Sequence, residues 1–220
     1  MKSTLIKWFS YLWDVQIDYR SSEYNPDLIV YMSQGRYQLC TDRAIYSHED
    51  KYHNFTKILR EEVDYDKLNG NKVLILGLGL GSVPILLDQI KLGHWNITAV
   101  EIDEEVIELA LLYGYPKIDS QMHSITADAA VYVDLCQEKF DLICVDVFVG
   151  EHTPHKFRTP QFLESLQGLS NPNGLVIYNT LAFTEEDRKL SKAYYNEVFL
   201  PAYPHSRCIN AHKNYMLLSY

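Results

Sequence analysis

Gly77, Gly79 and Gly81 stand two residues apart at the end of an apolar run, in VLILGLGLGS (Val73 to Ser82). A buried parallel strand that turns sharply under a ligand reads this way. Lacking a Cβ, a glycine can take a positive φ or let a bound group approach the backbone. Such a turn suits a phosphate, a nucleoside or a sulfonium; the spacing alone suits an ordinary strand-to-helix turn equally well. Three acids follow in comparable places. Glu101, in AVEID, comes about 20 residues after Gly81, where a carboxylate can accept hydrogen bonds from both ribose hydroxyls of an adenosine. An acid near a helix N-cap is the other reading of Glu101. Asp128, in TADAA, suits an adenine amino group, with Ala129 leaving room for the ring, and it suits a helix N-cap as well. Asp146, in CVDVF, ends a buried apolar run, where a carboxylate is costly unless something pairs with it.

These residues work together only if the chain brings strand ends to one place. From KVLILGLG onward strand and helix patterns alternate: SVPILLDQIKLG, NITAVEID, EEVIELALLYG, HSITAD, AAVYVDLC, FDLICVDVF, TPQFLESLQGL, GLVIYNTL and EEDRKLSKAYYNEVF. Short links between them imply right-handed crossovers and a doubly wound, mostly parallel α/β sheet of the Rossmann-like kind, with seven strands. The closing SRCINAHKNYMLLSY reads as two strands joined without a helix, hence an antiparallel pair. Residues 1–50 carry short aromatic and β-branched runs around a glycine-bearing turn and predict a small N-terminal β-region. Residues 51–220 form the larger domain. A helix is expected over His48 to Leu68, with Tyr52, Phe55, Ile58 and Leu59 at helical spacing and Glu49 and Asp50 at its start. Ligands of an open parallel sheet bind beyond the carboxyl ends of its strands, which is where these glycines and acids fall.

With 220 residues the chain has room for one well-buried domain and a small appendage. Its net charge of -9 argues against nucleic acid as a partner. Cys40, Cys136, Cys144 and Cys208 form no C-x-x-C pair and no zinc spacing, which suits a reducing cytosol. The start, MKSTLIKWFSYLWDVQ, is broken by Lys7 and Asp14 and lacks a small-residue cleavage site, so no signal peptide is expected. No apolar run is long enough to cross a membrane, and a cytoplasmic protein is expected. His152 and His155 lie near Glu151, but Pro154 sits among them and no third histidine follows at a regular spacing. No metal site is expected there; Gly150 to Phe157 reads instead as a mobile lid. Asn179, in IYNT, either closes a site floor or satisfies backbone groups.

The order of these strand ends resembles the class I S-adenosylmethionine-binding fold and, within it, the spermidine synthase-like group. There a small N-terminal β-domain precedes a Tyr-His-Glu helix motif and then a glycine-rich strand end. KYHNF carries Tyr52 and His53 in that place, with Asn54 at the glutamate. The resemblance runs over nearly the whole chain. It implies Gly77, Gly79 and Gly81 along the methionine part of the donor, Glu101 on the ribose, Asp128 on the adenine and Asp146 at the reacting amine. Tyr46, Tyr52 and His53 suit either the acceptor or the core. A homodimer and a small-molecule substrate, with an amine among the candidates, are further implications. The chain departs from the group's pattern at three points. Leu80 stands for the aspartate of Gly-Gly-Gly-Asp-Gly, Val149 for the second aspartate of Asp-Ser-Ser-Asp-Pro, and the glutamine of Leu-Asp-Gly-x-x-Gln is missing from LCTDRAIYS. Those groups hold ammoniums, and an unpaired ammonium in a closed site is expensive. Methyl transfer from S-adenosylmethionine is therefore expected ahead of aminopropyl transfer from its decarboxylated form. Leu80 in particular predicts room for the donor carboxylate at the start of the next helix. A nicotinamide-dependent oxidoreductase also matches Gly77-x-Gly79-x-x-Ser82 and Glu101, though it gives Asp128 and Asp146 no role. A non-catalytic nucleoside-binding member of the fold is the third reading.

Overall fold

The computed structural model describes residues 2–41, 44–150 and 152–219. A helix, α1 (Lys2–Phe9), precedes the strands expected for the N-terminal region. β1 (Val15–Arg20), β2 (Leu28–Ser33), β3 (Arg36–Cys40) and β4 (Ile45–Ser47) then form an antiparallel sheet in that order. Gln34 and Gly35, at φ +49° and +75°, make the tight turn between β2 and β3, since paired positive φ values match the twist of a two-residue hairpin.

The helix expected from His48 to Leu68 is shorter and starts later. Glu49 to Lys51 form a 3₁₀ turn, Tyr52 breaks the run, and α2 spans His53–Glu61. Glu49 explains the delay. It has φ +41°, and its buried carboxylate accepts the Tyr37 N–H at 2.5 Å and pairs with Lys117. Tyr37 ties the turn to β3, and Lys117 ties it to a segment far along the chain.

Alternation follows as expected: β5 (Lys72–Leu76), α3 (Ser82–Ile90), β6 (Asn96–Glu101), α4 (Glu104–Tyr113), β7 (Gln121–Thr126), α5 (Ala129–Leu135), β8 (Phe140–Val145), α6 (Pro160–Leu169), β9 (Ser170–Leu181) and α7 (Glu185–Tyr194). A π-helical turn (Tyr195–Phe199) carries α7 into the short α8 (Leu200–Ala202), and β10 (Arg207–Ala211) and β11 (Asn214–Leu218) close the chain. The second sheet has seven strands in the order β10-β11-β9-β8-β5-β6-β7. β11 lies antiparallel to both β9 and β10, while the β5, β6, β7, β8 and β9 pairings are parallel. The chain moves outward from β5 to β7 and returns beside β5 as β8, so the switch point falls between β5 and β8.

Alternation along each strand divides the core between two faces. Val73, Ile75, Leu142 and Cys144 pack with Ile58 of α2 and Leu86 of α3, whereas Leu74, Leu76, Ile143 and Val145 pack with Val133 of α5 and Leu163 of α6. A third cluster joins the sheets: Leu28, Val30 and Leu39 of the N-terminal sheet meet Leu80, Val106 and Leu109. Each such buried side chain contributes about 1.5–3 kcal/mol. Among the described residues no helix is long and apolar enough to cross a membrane.

Candidate active site

The strand ends line one cavity of about 1090 Å³ at the switch point. Gly77 has φ +90°, and a Cβ there would lie 2.2 Å from the Asp146 carbonyl oxygen. Gly79 has φ +54°, and its Cβ would lie 2.9 Å from Ser47 Cβ. Both line the cavity. Gly81, expected beside them, stands one step back as the N-cap of α3, where its φ of +86° shapes the turn and a Cβ would face Ile118. Leu80 turns away from the cavity. Its side chain is 1% exposed in the cluster that joins the two sheets, so it presents nothing to a donor. At the start of α3 the Ser82 hydroxyl bonds the Ser47 hydroxyl at 2.8 Å and accepts the His48 N–H at 3.0 Å.

Glu101, at the end of β6, is held by backbone. Its Oε2 accepts the Leu78 N–H at 3.0 Å, and its Oε1 accepts those of Ile102 and Asp103 at 2.9 and 3.2 Å. Burial raises its pKa and these three bonds oppose the rise. The N-cap of α4 is Asp103, whose Oδ1 accepts the Glu105 N–H at 3.1 Å. Its Oδ2 takes bonds from Ser22 and Asn25 of the N-terminal region at 2.5 and 2.8 Å.

Asp128 does cap a helix: its Oδ1 accepts the Ala130 N–H at 2.9 Å at the start of α5. Its Oδ2 pairs with the Lys156 ammonium. Burial pushes this carboxyl up, but Lys156 and the backbone donors outweigh it and leave the pKa below its ordinary value. Ala129 lines the cavity beside it. The pairing with Lys156 escaped sequence reasoning; its signal was a lone cation in GEHTPHKF. That segment is also more anchored than a free lid. Val149 and His152 exchange two backbone bonds of 2.9 and 3.2 Å, and the Phe157 carbonyl accepts the Tyr178 hydroxyl at 2.8 Å. Among the described residues no group of three or more His, Cys, Asp or Glu is placed to hold a metal, and Glu151 lies outside those residues.

Asp146 stands just past β8, facing a different set of partners. Asn179 Nδ2 donates to its Oδ1 at 2.8 Å, and the Tyr52 phenol bonds the same carboxylate. Asn214 Nδ2 in turn donates to Asn179 Oδ1 at 2.8 Å. Burial pushes the Asp146 carboxyl up to about 6; the bonds from Asn179 and Tyr52 pull it down, and the charge of Glu101 adds to the rise. Burial, then Asp146, lifts the Tyr52 phenol well above its usual range, so its proton stays on oxygen. Asp146 is therefore a half-buried acceptor, ionised for the most part at neutral pH. Asn179 closes the floor of the site, one of its two expected roles. Asn214 was not foreseen, because its nearness to Asp146 depends on β11 lying next to β9.

The remaining residues frame the opening. Tyr46 Oη donates to Asn25 Oδ1 and accepts the Gly150 N–H, both at 3.0 Å, so it ties the N-terminal region to the wall after β8. His53 is exposed at the rim, its ring 4.8 Å from that of His212. Gly77, Gly79, Glu101 and Asp146 thus line one cavity, which holds bare backbone and two carboxylates.

The chain is similar to known proteins in sequence and in structure. The chain is 36% identical over 134 residues to a polyamine aminopropyltransferase of Vibrio vulnificus, a match over 58% of this chain and 43% of that protein. It is 29% identical over 136 residues to an eEF1A lysine and N-terminal methyltransferase homolog of Drosophila melanogaster, over 58% of this chain and 20% of that one. The matched region thus spans less than half the length of either relative. In structure, the spermidine synthase of Thermotoga maritima aligns with a TM-score of 0.72 at 18% identity, covering 92% of this chain and 71% of that one. Human methyltransferase-like protein 13, in complex with SAH, aligns at 0.59 and 22% identity, covering 76% and 75%. These two likenesses speak to the fold. The spermine/spermidine synthase domain matches residues 53–218, from the first turn of α2 to the end of β11. The chain belongs to the spermine/spermidine synthase domain family.

Proposed function

We propose that this chain transfers a methyl group from S-adenosylmethionine to an amine. The observation that carries the reading is Asp146, a half-buried carboxylate bonded by Asn179 and Tyr52 and pushed up to about 6, in the same cavity as Gly77, Gly79 and Glu101. The donor half fits a nucleoside. Two positive-φ glycines, at positions where a Cβ would strike Asp146 or Ser47, bring bare backbone to the cavity wall, and a carboxylate fixed by backbone donors lines the same wall, as a ribose pair of hydroxyls would require. Bound there, the sulfonium supplies an electrophilic carbon: the amine lone pair forms the C–N bond while the C–S bond breaks and its electrons leave on sulfur as a neutral thioether. Asp146 holds the incoming ammonium by charge, takes one proton from it to free the lone pair, and keeps the neutral amine by hydrogen bond during the attack; that proton then passes to solvent, and the product leaves as the alkylated ammonium. Asn179 and Tyr52 fix the direction of its lone pairs, so orientation is set before the substrate arrives.

Methyl transfer is preferred because the cavity offers no carboxylate from position 80 or 149. Leu80 is in the core and Val149 is at the rim. Aminopropyl transfer from decarboxylated S-adenosylmethionine is the second reading, favoured by the 36% match to the Vibrio aminopropyltransferase. Calorimetric titration with both donors and with NAD separates these. S-adenosylmethionine is expected to bind at least about tenfold more tightly than the decarboxylated form, ~1.4 kcal/mol, with no binding of NAD. Tighter binding of the decarboxylated donor, with aminopropylation of 1,4-diaminobutane seen by mass spectrometry, sinks the methyl reading. Donor binding without transfer to any amine leaves a non-catalytic nucleoside binder.

A further inference from the structure

The mouth of the cavity differs in character from its floor. Ile45 on β4, Val149 after β8, Phe183 after β9 and Leu190 on α7 all line it, and each is more than half exposed. Single apolar residues scattered on a surface are ordinary. These four come from four separate segments and share one opening. More than half of each is open to whatever passes the opening.

Charge at the mouth points the same way. Lys213 lies 4.5 Å from the centroid of the Phe183 ring, so a cation beside that ring would meet another cation. Asp187 is engaged with Thr184 in the cap of α7, its side chain accepting the Thr184 N–H at 2.8 Å. Glu186 and Asp14, further carboxylates of the lining, stand exposed, where solvent screens an ion pair. The floor provides for one amine, at Asp146. A second ammonium, reaching outward, would have to leave water for Ile45, Val149 and Phe183. The volume of about 1090 Å³ exceeds the roughly 300–1,000 Å³ of a typical site for one small molecule, so a bulky acceptor has room beside a donor.

We propose that the acceptor is an amine carried on an apolar body, an arylalkyl or long-chain alkylamine, with its nitrogen at Asp146 and its body against this rim. The inference rests on the amine-transfer reading above and narrows its substrate class. Transfer is measured to 2-phenylethylamine, n-hexylamine and 1,4-diaminobutane, using the donor that the titration selects. The parent protein is expected to favour the two apolar amines over the diamine at least tenfold in kcat/KM. Val149→Asp, at an exposed position, is expected to lower that ratio at least tenfold by giving the diamine a partner. Phe183→Ser is expected to lower kcat/KM for the apolar amines at least fivefold while donor affinity holds. A parent that prefers 1,4-diaminobutane overturns the inference and leaves amine transfer standing; this arm needs no variant to fold. A ratio unmoved by both substitutions overturns it as well. Transfer to none of the three amines, with the donor bound, overturns the amine reading itself and this inference with it.

Discussion

The two halves of the cavity are built by different means. On the proposed donor side, Gly77 and Gly79, Glu101 and Asp128 end consecutive parallel strands; backbone groups within a few residues or on the adjacent strand end fix Glu101, and Asp128 adds the Lys156 ammonium to its own helix cap. On the acceptor side, Asp146 takes its partners from Tyr52 before α2 and Asn179 on β9, and Asn214 on β11 bonds Asn179. Backbone donors at neighbouring strand ends supply most of the first set of bonds, and side chains from separate elements supply the second. A site of this kind can keep its donor while its acceptor changes, because substitutions at the rim leave the strand ends untouched.

Separating the halves by mutation is the direct way to break this contrast. Asp146→Asn should cost the most, lowering transfer by about 10²–10⁴-fold, the range of a lost general base. Donor affinity should stay within about twofold; a comparable loss of donor binding in titration would join the halves into one. Glu101→Ala should do the reverse, weakening the donor by roughly 1.5–3 kcal/mol, as for a hydrogen bond to a charged group. Calorimetry on a protein with an unchanged melting profile checks it, and unaltered affinity would remove Glu101 from the donor half.

The smallest effect is the most specific. Transfer should rise with pH around 6, as Asp146 becomes the carboxylate that receives the proton. The bond from Asn179 lowers that pKa, so Asn179→Ala should move the acid limb of kcat/KM upward by about half to one pH unit. A limb that stays in place would assign the titration to another group. The same raised pKa carries a stability signature. A carboxyl lifted from 3.8 to about 6 by burial favours the folded state below 3.8, and that contribution is lost as pH rises through about 6.

Much of the fold was legible in the sequence, and the reasons are local. The period of the apolar residues distinguishes strand from helix, and burial on both faces of a parallel sheet demands unbroken runs such as VLIL and DLICV. Positive φ after β5 requires glycine, and an acid after each buried run requires a partner, so the donor-side residues stood out one by one. Three features did not. The type of Leu80 predicted a donor effect, but its direction is set by the N-terminal sheet packing over α4. The break before α2 depends on the partners of Glu49, one of them Lys117, far along the chain. The network around Asp146 depends on β11 lying between β9 and β10, a pairing that no local pattern encodes. Sequence alone thus determined the strand ends, through backbone conformation and the cost of burying apolar or charged groups. Only the tertiary structure decided which of those ends share partners, because a hydrogen bond between distant residues exists only once sheet order has brought them within reach.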